Sequence, residues 1–433
     1  MTYYSLNKQA PDVSFQEAVV KGLAPDKGLY YPKEINALPQ SFFDNIENLD
    51  NATIAYEAIK QFVGNEIPEQ DLKQIVKDVL SFDFPLEKVE DNISALELYH
   101  GPTMAFKDVG ARFMARCLGY FNKDVETKEN VTVLVATSGD TGGAVANGFL
   151  GVDGVDVVIL YPSGKVSDIQ EKQLTTLGQN IVALEVDGTF DDCQAMVKTA
   201  FLDADYKNKR TLTSANSINI ARWLPQMFYF FFAYKALKSS GKKLVFSVPS
   251  GNYGNICAGM MAQRLGLPVH HFVTGTNANN IVPEYLKTGN YDAKPSVATI
   301  SNAMDVGAPS NFIRIQELHD NDIDALRQNL SGYSYTDEET TEAVKYLHTH
   351  QNYVADPHGA IGYLALKAYI QNHTDVHGVF LETAHPIKFL PVMPKTIADN
   401  IPMPPQIEAV MHNKKVSIEI SSYEELKNYL LSS

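Results

Sequence analysis

The 433-residue chain carries 36 Lys and Arg against 51 Asp and Glu, a formal net charge of −15 with neutral His, which argues against a polycationic nucleic-acid or membrane-surface binder because phosphate neutralisation needs a basic face. With 45% hydrophobic and 20% charged residues, and 27 Gly plus 21 Pro spread along the chain, the composition is that of a folded protein with a sizeable core, of about two or three domains at this length. Cys117, Cys193 and Cys257 stand far apart, form no CxxC pair and leave an odd count, which argues against a disulfide framework or a Cys-rich zinc site and favours a reducing, cytoplasmic setting.

The N-terminus, MTYYSLNKQAPDVSF, lacks the basic-then-apolar pattern of a signal peptide. Residues 1–95 read as a mostly helical region with turns such as Pro25-Asp26-Lys27-Gly28. Val131 to Val135 is predicted as a buried strand, followed by the glycine loop Thr137 to Gly143 and a small-residue helix through Asn147. Val155 to Leu160 is a second strand; Ser167 then caps a helix reaching Leu177, and Ile181 to Val186 is a third strand. The most apolar stretch, Met227 to Tyr234, is far shorter than the roughly 20 residues that span a bilayer, so no membrane span is expected. The strand–loop–helix grammar returns with Leu244 to Val248, the loop Pro249 to Asn255, a helix to about Leu265 and a strand at Val269 to Val273. Ser422-x-x-Glu425 is a capping-box pattern for a last helix. Such alternation predicts an α/β protein with parallel strands between helices, and ligands in such sheets sit at the carboxyl ends of the strands.

A glycine loop between strand and helix leaves backbone N–H groups open, and the helix dipole adds positive charge there, so each loop suits an anion, phosphate above all. Read alone, either loop is equally a tight βα turn. Neither is GxxxxGK[ST], and neither is GxGxxG with a ribose-binding acid downstream. There is no GxSxG elbow and no HExxH; His270-His271 and His348-x-His350 are the nearest His clusters, and adjacent His on a strand face opposite ways, so no metal site is expected. Lys107, in His100-Gly101-Pro102-Thr103-Met104-Ala105-Phe106-Lys107-Asp108-Val109-Gly110, stands among small and apolar residues. An amine there is desolvated, its pKa falls, and it becomes a candidate for an imine with a carbonyl cofactor; the plain alternative is a solvated lysine opening a helix.

The stretches LYHGPTMAFKDVGARFMA (98–115), ATSGDTGGAVANGF (136–149), NSINIARW (216–223), VPSGNYGN (248–255) and ETAHPIKF (382–389) resemble, in order, those of the threonine synthase family. That family belongs to the fold type II pyridoxal-phosphate enzymes, which share the tryptophan synthase β-subunit fold. SFQEAVVKGLAPDKGLYYP (14–32) resembles the opening of its bacterial and fungal form. The resemblance implies two open twisted sheets flanked by helices. It divides the chain into an N-terminal region (1–95), a first α/β lobe (96–225), a second (226–400) and a tail (401–433).

It also implies that Lys107 carries pyridoxal 5'-phosphate, that Ser250, Gly251, Asn252, Tyr253, Gly254 and Asn255 cradle the cofactor phosphate, and that Thr383 meets the pyridine nitrogen. Thr137, Ser138, Gly139 and Thr141 would take the substrate α-carboxylate. Ser217, Asn219 and Arg222 would hold the phosphate of O-phospho-L-homoserine, Arg222 in forked geometry. Where many fold relatives carry Asn, this chain has Asp140, to which no role is transferred; His385 and Pro386 read as loop geometry. The implied reaction is γ-elimination of phosphate and β-addition of water, giving L-threonine, the last step of threonine biosynthesis. Neither nucleic acid nor membrane is an expected partner, and a monomer and a dimer stand equally open. Competing readings are a phospho-lyase or dehydratase releasing a keto acid and ammonia, a phosphotransferase, which would want more carboxylates beside the loops than Asp140, and a silent binding protein.

Overall fold

Val131–Ala136 (β5), Val155–Pro162 (β6) and Ile181–Val186 (β7) are the first three strands at which the expected alternation can be checked, and all three pair in parallel, β5 with β6 and β6 with β7. The computed structural model describes residues 1–123, 131–206 and 209–432. Thr211–Thr213 (β8) and Ile418–Ile420 (β13) complete a five-stranded parallel sheet in the order β13-β7-β6-β5-β8. The second sheet holds Leu86–Glu90 (β3), Ile93–Glu97 (β4), Lys243–Pro249 (β9), Val269–Thr276 (β10), Leu330–Ser334 (β11) and Val376–Glu382 (β12) in the order β11-β10-β9-β12-β4-β3. All its pairings are parallel except the β3–β4 hairpin at one edge. Tyr3–Ser5 (β1) and Tyr30–Pro32 (β2) form a separate antiparallel pair in the N-terminal region.

Two of the expected divisions fall elsewhere. Residue 95 lies inside β4, and the β3–β4 hairpin belongs to the second sheet rather than to a separate N-terminal unit. The tail is not an appendage: β13 extends the first sheet, and the last helix, Tyr423–Ser432, opens on the Ser422/Glu425 capping box and buries Leu426 and Leu430 behind that sheet. The helix after Ser167 ends at Thr175, two residues short of expectation, where Thr175 and Thr176 hydroxyls bond back to Glu171 and Lys172 carbonyls and Gly178 turns with φ +65°. β10 runs three residues past Val273 because β11 pairs with it through Thr276.

The apolar stretch read from the sequence is the buried helix Phe228–Leu237, and no described helix is long and apolar enough to cross a membrane. Its Phe231 meets Phe42 and Phe43 of the N-terminal region, Phe232 meets Phe84, and Phe230 packs edge-on against Phe246 of β9 and Phe272 of β10. One aromatic helix thus joins the N-terminal helices to the second sheet. Gly259 lets the helix Gly254–Arg264 into that contact: a Cβ there would stand 2.5 Å from the Phe230 ring and 2.8 Å from Phe272. We expect Gly259→Val to destabilise the fold by about 1–3 kcal/mol, the usual range for overpacking, read as a lower denaturation midpoint. An unchanged midpoint would show that the aromatic contact can yield.

Candidate active site

The loops at the carboxyl ends of β4, β5, β9 and β12 meet at a cavity of about 400 Å³, large enough for a small ligand. The segment after β4 brings Lys107 there. Leu98 N–H bonds the Glu382 carbonyl, Phe106 N–H bonds the Thr383 carbonyl, and Ala105 bridges Ala384, so this segment is pinned to the end of β12. Asp108, buried, accepts the Thr103 hydroxyl and, at 2.9 Å, its backbone N–H, closing the Gly-Pro turn before the helix Lys107–Asn122. Lys107, the first residue of that helix, lines the cavity. Its amine has neither a hydrogen-bond acceptor nor an ion-pair partner among the described residues and stands 5.6 Å from the centre of the Phe106 ring. Burial pulls the amine below the ordinary lysine range; Asp140 opposes this, while the charges of Lys388 and Arg222 add to it.

Asp140 opens the ten-residue helix Asp140–Phe149. Its Oδ1 lies 2.7 Å from Lys388 Nζ and accepts from Gln170 Nε2 at 2.9 Å, and Lys388, also buried, donates to the Thr103 carbonyl at 2.6 Å. Burial would raise the Asp140 carboxyl, but Lys388 and Lys107 reverse this and hold it well below the usual carboxylate range. The pair explains how an acid can stand at an open helix N-terminus: Lys388 offsets its charge. Sequence reasoning missed Lys388, although a lysine inside AHPIKF has as little surface reason to be there as Lys107.

Around Asp140, Ser138 and Thr141 face the cavity; among the described residues their hydroxyls have no partner, and the backbone N–H groups of Ser138, Asp140 and Thr141 have no acceptor. Thr137 and Gly139 serve differently from the expectation. The Thr137 hydroxyl accepts the N–H of Gly139 (3.0 Å) and of Gly142 (2.8 Å) and donates to the Gly139 carbonyl, so it shapes the loop and has nothing left for a ligand. Gly139, at φ +146° and pressed on Gln170, supplies the turn and does not line the cavity.

On the opposite wall, the N–H groups of Gly251, Asn252, Tyr253, Gly254 and Asn255 find no acceptor among the described residues, at the mouth of the eleven-residue helix Gly254–Arg264. Tyr253 holds the turn in the left-handed region at φ +63°, its phenol oxygen accepting the Thr274 hydroxyl at 3.0 Å. The Asn255 side chain ties the loop ends together, donating to the Pro249 carbonyl and accepting from Ile256 N–H. Ser250 is a correction: its N–H bonds the Gly275 carbonyl, its hydroxyl bonds Val248, and it does not reach the cavity. Thr383 does, with a hydroxyl that has no hydrogen-bond partner among the described residues.

Arg222 forms the third wall, in the short helix Ile220–Trp223. The guanidinium is buried and donates through Nη1 to the Ala215 carbonyl; among the described residues it pairs with no carboxylate and its Nε has no acceptor. Burial lowers it to about 10, so it stays charged at neutral pH. Ser217 and Asn216 line the cavity beside it. Asn219 does not: fully buried, its oxygen caps the helix at Ala221 N–H and its amide bonds the Val19 and Ser214 carbonyls, which corrects its assignment as a ligand. A second residue missed by sequence reasoning, Arg314, holds this segment from behind. It donates to the Ser217, Ile218 and Tyr30 carbonyls and lies over the Trp223 ring. His385 keeps the loop role expected of it, accepting Ile387 N–H, and burial lowers it to about 4. The His pairs are remote: His271 is buried against Tyr369, and His348 and His350 are exposed.

Comparison with known proteins follows the same lines. The family described as pyridoxal-phosphate dependent enzyme matches residues 84–378, threonine synthase N terminus matches 2–80, and threonine synthase, C-terminal, matches 359–430. The chain is 43% identical to the threonine synthase of Haemophilus influenzae over the whole of both chains. The crystal structure of threonine synthase from Escherichia coli superposes with a TM-score of 0.91 at 40% identity, covering all of both chains. A pyridoxal-phosphate-bound threonine synthase from Brucella melitensis superposes at 0.92 with 32% identity, covering 100% of this chain and 99% of that one.

The electrostatics predict a measurable titration. In cofactor-free protein, acylation of Lys107 followed by peptide mass spectrometry should titrate below the exposed lysines. Asp140→Asn should move the midpoint lower still, because it removes the one charge that favours the ammonium form. A midpoint at the ordinary lysine value, or one that rises in Asp140→Asn, would contradict the assignment.

Proposed function

The chain belongs to the threonine synthase family of pyridoxal-phosphate-dependent enzymes, and on that premise we propose that its cavity converts O-phospho-L-homoserine and water to L-threonine and inorganic phosphate. The residues present suit the cofactor. An aldehyde requires an amine that gives up its proton, and Lys107 offers one that is desolvated and unpartnered. A phosphate monoester requires convergent donors, and the five open N–H groups from Gly251 to Asn255 provide them without a Lys or Arg in the loop. A pyridine nitrogen requires a polar neighbour, and the Thr383 hydroxyl is free to be one. Bound there, the cofactor supplies an electron sink for the charge left on the substrate carbon when its proton departs.

The chain's own groups divide the remaining work. Lys107 Nζ takes the proton from the substrate Cα, and its lowered pKa leaves more of the amine uncharged for that step than an exposed lysine would have. The substrate α-carboxylate is received by the Ser138, Asp140 and Thr141 N–H groups and the Ser138 and Thr141 hydroxyls, with Lys388 neutralising Asp140. Arg222, with Ser217 and Asn216 beside it, holds the substrate phosphate and stays charged as that group leaves. This local placement also lets a protein of net charge −15 bind a dianionic substrate, since the bulk charge is screened over about 10 Å.

One observation carries the reading above the others: among the described residues, a buried guanidinium without a carboxylate faces the same cavity as a half-buried, desolvated amine without a partner. Purified protein supplied with pyridoxal phosphate and O-phospho-L-homoserine should release phosphate and threonine in equal amounts; ammonia and a keto acid in place of threonine would contradict it. Arg222→Ala should raise KM for phosphohomoserine about 10- to 100-fold, the cost of a lost charged hydrogen bond, with cofactor content unchanged. Equal loss of cofactor would give Arg222 a structural role instead.

A further inference from the structure

Beneath the wall that carries Thr383 lies a cluster of titratable groups that the reaction above does not use. Glu382, the last residue of β12, is fully buried, and its Oε1 accepts the Asp356 backbone N–H at 2.6 Å. Asp356 caps the helix Pro357–Ile370; its Oδ1 accepts the His358 backbone N–H and lies 2.6 Å from His358 Nδ1. His358 reaches the cavity, where its Nε2 lies 3.2 Å from the Ala303 backbone nitrogen. A backbone N–H can only donate, so Nε2 accepts it and the ring proton sits on Nδ1, aimed at Asp356.

Two oxygens remain, Asp356 Oδ2 and Glu382 Oε2, both buried and both without a donor. Two adjacent carboxylates cannot both stay ionised in such a place, and a single proton between them satisfies both. Glu382 is the better holder. Asp356 already accepts two N–H groups, whereas Glu382 accepts one and stands opposite Glu97 across the β4–β12 pairing. Burial, then the Asp356 charge, push the Glu382 carboxyl well above the usual carboxylate range. The other titratable groups facing the cluster are Tyr99, Tyr353 and His100, all gathered on Glu97, His385 after β12, and Asp305 beside Ala303. Among the described residues neither Asp356 nor Glu382 pairs with a Lys or Arg. Gly359 makes room for the arrangement: a Cβ there would stand 1.5 Å from Glu382 Oε2.

The far end of this chain of bonds touches the phosphate loop. A Cβ on Gly251 would lie 2.9 Å from the Ala303 carbonyl oxygen and 2.8 Å from Met304 Cα, so the Ala303 turn presses directly on that loop. At the near end, Glu382 is joined by one peptide bond to Thr383. We propose that Glu382, Asp356 and His358 are positioning residues in a one-proton relay, in which a neutral Glu382 carboxyl donates to Asp356 and His358 anchors the Ala303 turn. Both ends of the cradle, the Thr383 hydroxyl and the Gly251 loop, are then held from one buried point. The relay rests on the reading of this cavity as a pyridoxal-phosphate site.

The test uses infrared spectroscopy together with cofactor affinity measured by equilibrium dialysis against pyridoxal phosphate. Cofactor-free and cofactor-loaded protein should show the carbonyl band of a protonated carboxylic acid at neutral pH, and Glu382→Gln should remove it. Glu382→Leu should weaken cofactor binding about tenfold or more, as expected when a buried acceptor is left unpaired, and Glu382→Gln, which keeps one donor and one acceptor, should recover most of that loss. Should Glu382→Leu fail to fold, His358→Phe cuts the far end while keeping a ring against Phe389, 4.8 Å away. It should weaken binding by a similar factor with the acid band intact. No acid band, a band that survives Glu382→Gln, or unaltered cofactor affinity in His358→Phe would overturn the relay. Failure of the unsubstituted protein to bind pyridoxal phosphate would overturn the functional reading, a separate result.

Discussion

A half-buried, desolvated lysine amine beside a buried ion pair is the constraint on which the rest of the site depends. Lys107 has no partner of its own, so its protonation is set by burial and by three neighbouring charges, one negative and two positive. Were Asp140 not paired to Lys388, its carboxylate would favour an ammonium at Lys107 with no opposing charge from Lys388 and would oppose any anion at the helix end it occupies. With the pair in place, both the amine chemistry and the binding of a carboxylate become possible in one small volume. A buried ion pair is poor evidence for stability, since desolvation offsets most of the attraction. Here its use is electrostatic.

The geometry of the site is fixed by segments distant in sequence. Arg314 gathers carbonyls from Tyr30, Ser217 and Ile218, and so ties the N-terminal region to the segment that carries Arg222. The aromatic helix Phe228–Leu237 performs the same task between that region and the second sheet. The N-terminal residues therefore support the site without lining it. Gly110 shows how close the supports come: a Cβ there would meet the Arg222 carbonyl oxygen at 2.5 Å.

Strand–loop–helix units were legible because their signals are local: a β-branched run, a glycine turn, a capping residue. Lys107, Thr383, Ser138, Thr141, Ser217 and Arg222 could be placed by motif, and all line the cavity. Ser250, Asn219, Gly139 and Thr137 stand in the same motifs, yet their polar groups close the loops, a distinction that depends on which way each N–H and hydroxyl points. Nothing local marks that direction. Lys388, Arg314 and the Glu382–Asp356–His358 chain were missed because their partners lie far along the sequence; Asp356-Pro357 reads simply as a capped helix start. The β3–β4 hairpin was assigned to the wrong unit for the same reason, since strand pairing across nearly 300 residues leaves no trace in composition.

Two lysines, the cavity-lining Lys107 and the buried Lys388, stand within reach of Asp140's charge, and only Lys107 is free to react. Borohydride reduction of the protein with pyridoxal phosphate, then peptide mass spectrometry, distinguishes them directly. The cofactor mass should be found on the peptide containing Lys107 and absent from that containing Lys388. Labelling at Lys388, or at neither lysine, would contradict the account.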